Sequence, residues 1–175
     1  HYTMPDSPLA PVVNQLLSVL PPEERERIFE SCEAVELVLG TTLCEQDQPF
    51  LLINFPITCF ISRVSSMAGH PSMEMGLIGS EGMLGATLSL GVKGAPMLAV
   101  VLCAGKALKM TASQLRRELS HSPCLVRTLN RYLFVLLAQQ AQTAACTHFH
   151  KIEPRLACWL LMTHDRAHAG HFHLT

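Results

Sequence analysis

Residues 122–150, SPCLVRTLNRYLFVLLAQQAQTAACTHFH, decide how the rest of the chain is read. After Pro123 the stretch holds neither proline nor glycine, and Leu125, Leu129, Tyr132, Leu136, Gln139, Thr143 and Cys146 recur at alternating steps of four and three. That spacing lines residues along one side of a helix, as in a seam between two helices. Ser122 as N-cap and Pro123 at the first helical position give the helix a defined start. At ~1.5 Å per residue it runs about 40 Å, longer than a small domain is wide, so part of it reaches past its own domain. Residues 133–137 are apolar enough for a long core helix, yet beyond Ala138 the stripe gives way to Gln139, Gln140, Gln142 and Thr143. This change predicts a homodimer seam carried by Leu125, Leu129, Tyr132, Leu136, Gln139 and Thr143, with the polar half also facing something else.

Working outward, the segment before the helix changes period. Runs at 34–44, 49–56, 57–66, 73–79, 97–103 and 105–110 are short and β-rich, and they are broken by Gly40, Pro49, Pro56, the Gly69-His70-Pro71 turn, residues 91–94 and Gly105. Six or more such strands without intervening helices predict an antiparallel barrel or jelly roll. Ahead of them, residues 12–20 read as one short helix, and Pro21-Pro22 opens a second with acidic residues in its first turn. Residues 113–119, SQLRREL, form a further helix before the long one, and residues 155–167 another after it. The expected class is α+β: N-terminal helices, an antiparallel β-roll, and a long C-terminal dimerisation helix.

Composition narrows the function. Of 175 residues 49% are hydrophobic and 15% charged, which describes a folded globular chain. A net charge of −1 leaves no basic footprint for nucleic acid within this stretch. No apolar run approaches the ~18 to 20 residues that span a membrane, so a cytoplasmic protein with no membrane partner is expected. Seven cysteines without a C-x-x-C pair argue against a disulfide framework or an iron–sulfur cluster. No P-loop, Ser-His-Asp set or paired-carboxylate pattern is discernible, and no enzymatic activity is expected.

The order of two short helices, a small β-roll, a helix, a long helix and then a helix beginning Arg155-Leu156-Ala157 resembles the Crp/Fnr family of bacterial transcription regulators. Its most specific parts are LAQQAQTAACTHFH and IEPRLACWLLMTHDR, which look like the junction between the dimer helix and a winged helix-turn-helix domain. The resemblance implies a cyclic nucleotide-binding-like sensor over residues 1–120, a dimerisation helix over 121–150, and over 151–175 a hinge and the first helix of a truncated DNA-binding domain. The homodimer would meet DNA through the missing part, where the phosphate-binding Lys and Arg should lie.

The resemblance also places an effector pocket at the glycine-rich run from Gly76 to Gly85, with candidate residues Gly79, Ser80, Glu81, Gly82, Met83 and Gly85 and with Gln139 and Gln140 closing it from the long helix. Glycines there can turn backbone N–H groups toward an anion, or can merely make tight turns. Members of the family that bind cyclic nucleotide hold it with a Gly-Glu pair and a following Arg-Ser pair. Here Ala86 stands in the glutamate position after Gly85, a register on Ser80-Glu81 restores only the carboxylate, and no arginine occurs between Arg63 and Arg116. Without a bidentate partner for the phosphate, cyclic AMP is not the expected effector. A pocket lined by Met73, Met75, Met83 and Met97 would suit a small apolar or neutral molecule, and no cofactor is implied.

Cys146, His148 and His150 form a partial metal-ligand set at the hinge, since only residues four apart share a helical face. They support an alternative reading as a metal or redox sensor. A cupin-like metalloenzyme is a further alternative, for which His70 is the sole histidine in the strand region.

Overall fold

The computed structural model describes residues 13–149. Two short helices, α1 (Gln15–Ser18) and α2 (Pro22–Ser31), lead into seven strands: β1 (Glu33–Leu37), β2 (Thr42–Cys44), β3 (Leu52–Pro56), β4 (Phe60–Ser65), β5 (Met73–Ile78), β6 (Leu98–Cys103) and β7 (Gly105–Thr111). A 3-10 turn (Ala86–Leu90) interrupts the strands, and α3 (Ala112–His121) and α4 (Pro123–Phe149) close the described chain. The first β-rich run divides into β1 and β2 because Gly40, with φ +82°, turns the chain between them.

All pairing is antiparallel, in a three-stranded sheet of order β1-β7-β3 and a four-stranded sheet of order β2-β6-β4-β5. This is the expected β-roll. Ile53 and Phe55, two apart on β3, join one core with Ile61 of β4, Ile78 of β5, Ala99 of β6 and Met110 of β7. Thr111 then caps α3: its Oγ1 accepts from the Gln114 N–H at 3.1 Å, and Gln114 Oε1 accepts from the Thr111 N–H at 2.8 Å. Ser122 caps α4 through the Leu125 N–H at 3.0 Å and donates its own hydroxyl to Glu24 of α2, tying the start of the long helix to the N-terminal pair.

The expected seam is corrected by burial. Leu125, Leu129 and Tyr132 are 1%, 0% and 7% exposed and belong to the same core as Ile53, Met83 and Leu115, so they face their own roll rather than a second copy. Burying each of the two leucines contributes roughly 1.5–3 kcal/mol to holding α4 on the domain. Leu136 is half-buried against that core. Gln139 is half-buried and Thr143 exposed, with the Thr143 hydroxyl donating to the Gln139 carbonyl at 2.9 Å. What α4 leaves exposed lies on another face: Phe134 at 70% and Leu137 at 66%, followed at helical spacing by Ala138, Ala141, Ala144 and Ala145. The four-three periodicity was compatible with either use, because residues 133–137 make the helix apolar on several sides at once.

Candidate effector site

The run expected to cradle a ligand is in large part packing material. Asn14, 2% exposed, caps α1 with its Oδ1 and donates its amide to the Pro56 carbonyl at 2.8 Å and the Gly82 carbonyl at 2.9 Å. The Ser80 carbonyl accepts from the Gln15 N–H at 2.7 Å. A Cβ on Gly79 would lie 2.9 Å from the Phe60 ring, and one on Gly82 would overlap the Tyr132 ring. Gly79 donates its N–H to Glu81 Oε1 at 3.3 Å. Gly79, Ser80, Glu81 and Gly82 thus form a knot that fixes α1 and α4 to the roll, and none of the four borders the cavity that follows.

That cavity, about 50 Å³, lies just beyond the knot. Phe50 and Ile78 of the roll bound it on one side, and the segment Met83, Leu84, Gly85, Ala86 and Thr87 forms a second wall. Gly85 adopts φ +104°, a left-handed conformation that side chains resist, and a Cβ there would overlap Ile53 Cδ1. The long helix supplies the third wall through Leu133 and Leu136. Gln139 and Gln140, expected to close the pocket, are not at it; the residues of α4 that reach it lie about one turn earlier. Of the methionines, Met83 and Met97 line the cavity, whereas Met73 is 55% exposed.

Sequence reading missed two polar residues. Arg63 of β4 lines the cavity. Its cross-strand neighbours are Gly76 on β5 and Ala99 on β6, both small, and a Cβ on Gly76 would sit 2.7 Å from the guanidinium Nη2. The side chain therefore occupies a slot that its neighbours leave open. The Thr87 hydroxyl, also at the cavity, is buried with no hydrogen-bond partner among the described residues. A signal for Arg63 existed in the alternation: two residues after Ile61, it falls on the same inward face of β4.

The alternative sites fare differently. His70 sits in an exposed turn, its N–H donating to the Met67 carbonyl at 3.0 Å. Cys146 is half-buried, while the side chain of His148 and all of His150 lie outside the described residues. Among the described residues no group of three or more His, Cys, Asp or Glu side chains could hold a metal ion. Burial pushes the Cys32 thiol up to about 12 and the Cys59 thiol up to about 11, and it raises Cys44 as well. None of these three is a ready thiolate at neutral pH. Among the described residues no helix is long and apolar enough to cross a membrane.

No protein-family model matches the sequence, and neither does any curated protein sequence. Solved structures do match the fold. The c-di-GMP-responsive global regulator CLP of Xanthomonas campestris is similar over 85% of this chain and 75% of its own, with a TM-score of 0.69 and 14% identity. FixK2 of Bradyrhizobium japonicum is similar over 77% and 67%, with a TM-score of 0.68 and 11% identity. A cyclic nucleotide-binding domain from Methylobacillus flagellatus is similar over 78% and 80%, with a TM-score of 0.60 and 10% identity. The chain has the fold of a cyclic nucleotide-binding domain, an α+β roll followed by a long helix.

Proposed function

We propose that this chain is the effector-sensing and dimerising part of a cytoplasmic, DNA-binding transcription regulator of Crp/Fnr type, and that it is not an enzyme. One observation carries the reading: the cavity shares a wall with α4, through Leu133 and Leu136, just where the helix leaves the core. An effector there would press on the two leucines and shift the balance between two settings of the helix, which is how a ligand in the roll could act on a DNA-binding domain attached beyond α4. The regulators CLP and FixK2, which share the fold, support this assignment. Cyclic AMP does not suit the cavity. Its lining holds no carboxylate for a ribose hydroxyl, and the glycine-rich run carries no arginine for a cyclic phosphate.

Dimerisation is assigned to the exposed face of α4. Phe134, Leu137, Ala141 and Ala144 follow one another at steps of three, four and three, and the alanines let two helices approach closely. The coupling is tested without knowing the effector. Thr87→Phe fills the cavity, and hydrogen exchange along residues 133–146 should change relative to the wild type; unchanged protection there would separate the cavity from the helix and sink the sensing claim.

A further inference from the structure

We infer that the turn joining β4 to β5 is a binding site for a soft monovalent metal ion of the Cu(I) type, held by the thioethers of Met67 and Met73 and the imidazole of His70. The inference is independent of the effector cavity, because none of the three residues borders it. It starts from two methionines that are 69% and 55% exposed, although methionine belongs with the residues most often buried. They stand in the spacing Met67-x-x-His70-x-x-Met73, and His70 between them is exposed as well.

The hairpin brings the three together. Ser65 of β4 pairs with Met73 of β5, and one step further the Ser66 and Ser72 hydroxyls meet at 3.0 Å. Alternation puts that serine pair on one face and returns Met67 to the face of Met73. The two are then diagonal cross-strand neighbours, about 7–8 Å apart, a gap that long side chains bridge. His70 closes the turn: its N–H donates to the Met67 carbonyl at 3.0 Å, and Gly69 at φ +79° supplies the left-handed third residue. The first and last residues of such a turn lie within about 7 Å at Cα, so the imidazole and the Met67 thioether reach a common point.

The donors select the metal. Thioether sulfur is a soft, uncharged ligand that favours Cu(I), and imidazole serves copper as well. Residues 66–73 contain no Asp, Glu or Cys, and Glu74, the next along, pairs with Val64 and falls on the other face. A hard dication therefore finds no anionic oxygen beside the methionines, and Zn(II) finds no thiolate. Three rotatable bonds let each methionine bring its sulfur to the metal without moving the backbone.

The test uses the full chain with isotope-labelled methionine methyl groups, titrated with Ag(I) in chloride-free buffer and followed by NMR. Ag(I) shares the soft-ligand preference and keeps one oxidation state. Accessible thiols, exposed Cys103 among them, are capped beforehand with iodoacetamide. The Met67 and Met73 methyl signals should move together along one saturating curve, with the His70 ring protons, while those of buried Met83 and Met110 stay in place. Met73→Leu should weaken the response of the Met67 methyl at least tenfold, and His70→Gln should weaken both; all three positions are exposed, so the fold is kept. Zn(II) at the same concentrations should leave both methyls unmoved. Methyls that respond independently, each indifferent to substitution of the other, overturn the shared site, as does the absence of any shift up to millimolar Ag(I). An equal response to Zn(II) overturns the assignment to a soft ion.

Discussion

Gly82→Ala tests the joint between the knot and the long helix. Gly82 has no positive φ, so alanine meets no backbone penalty there, and the only cost is steric. The new Cβ would overlap the Tyr132 hydroxyl and ring, which is 7% exposed and therefore enclosed. An aromatic ring cannot bend away as a flexible chain end can. The strain must be relieved by moving α4, by moving the segment from Ser80 to Met83, or by lengthening the bond from the Tyr132 hydroxyl to the Met83 carbonyl, already 3.4 Å. Overpacking of this kind costs about 1–3 kcal/mol, which for a chain of this size lowers Tm by roughly 3–10 °C. The assay is a double-mutant cycle in urea. Tyr132→Leu removes the ring and is itself destabilising, but in that background Gly82→Ala should cost less than about 0.5 kcal/mol, giving a coupling energy of about 1–2 kcal/mol. An equal cost in both backgrounds would refute the argument that Gly82 is a glycine in order to admit Tyr132.

Other predictions follow from single contacts. Asn14→Ala removes an N-cap and two buried donors to the Pro56 and Gly82 carbonyls, and should lower unfolding free energy by about 2–4 kcal/mol in denaturant titration; a loss below about 1 kcal/mol would show that water replaces the amide. At pH 8 a thiol reagent should modify exposed Cys103 in the native state and Cys59 only on unfolding. The folded-state pKa of Cys59, about 11, is raised from the usual thiol value near 9.0 by burial, so the native state retains the proton longer than the unfolded chain. The associated stability is present below pH 9.0 and is lost as pH rises toward 11; a Cys59→Ala variant should show a flatter stability profile over that window.

The fold was legible in the sequence because its punctuation is chemical. Gly40, Pro49, Pro56 and Gly105 separate runs whose alternation sets which side chains point inward, and Ser122-Pro123 marks the start of α4 by capping alone. The site was less legible, for two reasons. A glycine run carries no statement of why a side chain is excluded: Gly82 and Gly79 make room for Tyr132 and Phe60, residues distant in sequence, rather than for a ligand. Arg63 lies well before the run that should have contained the anion-binding arginine, and only the register of β4 against Gly76 and Ala99 brings it to the cavity. The dimer seam was misplaced by the same kind of degeneracy. Leu125, Leu129 and Tyr132 show the periodicity of a helix interface, and the interface proves to be with their own roll. Periodicity identifies a face without naming its partner.

Sedimentation equilibrium of the full chain at micromolar concentration, beside the Phe134→Glu/Leu137→Glu double variant, tests the sensor-dimer account most directly. Both positions are about two-thirds exposed, so the charges leave the protomer's core intact. The account predicts a wild-type dimer and a folded monomeric variant, since two carboxylates placed on a self-complementary helix face would have to be buried on association. A wild-type monomer, or a variant that still dimerises with undiminished affinity, would contradict it.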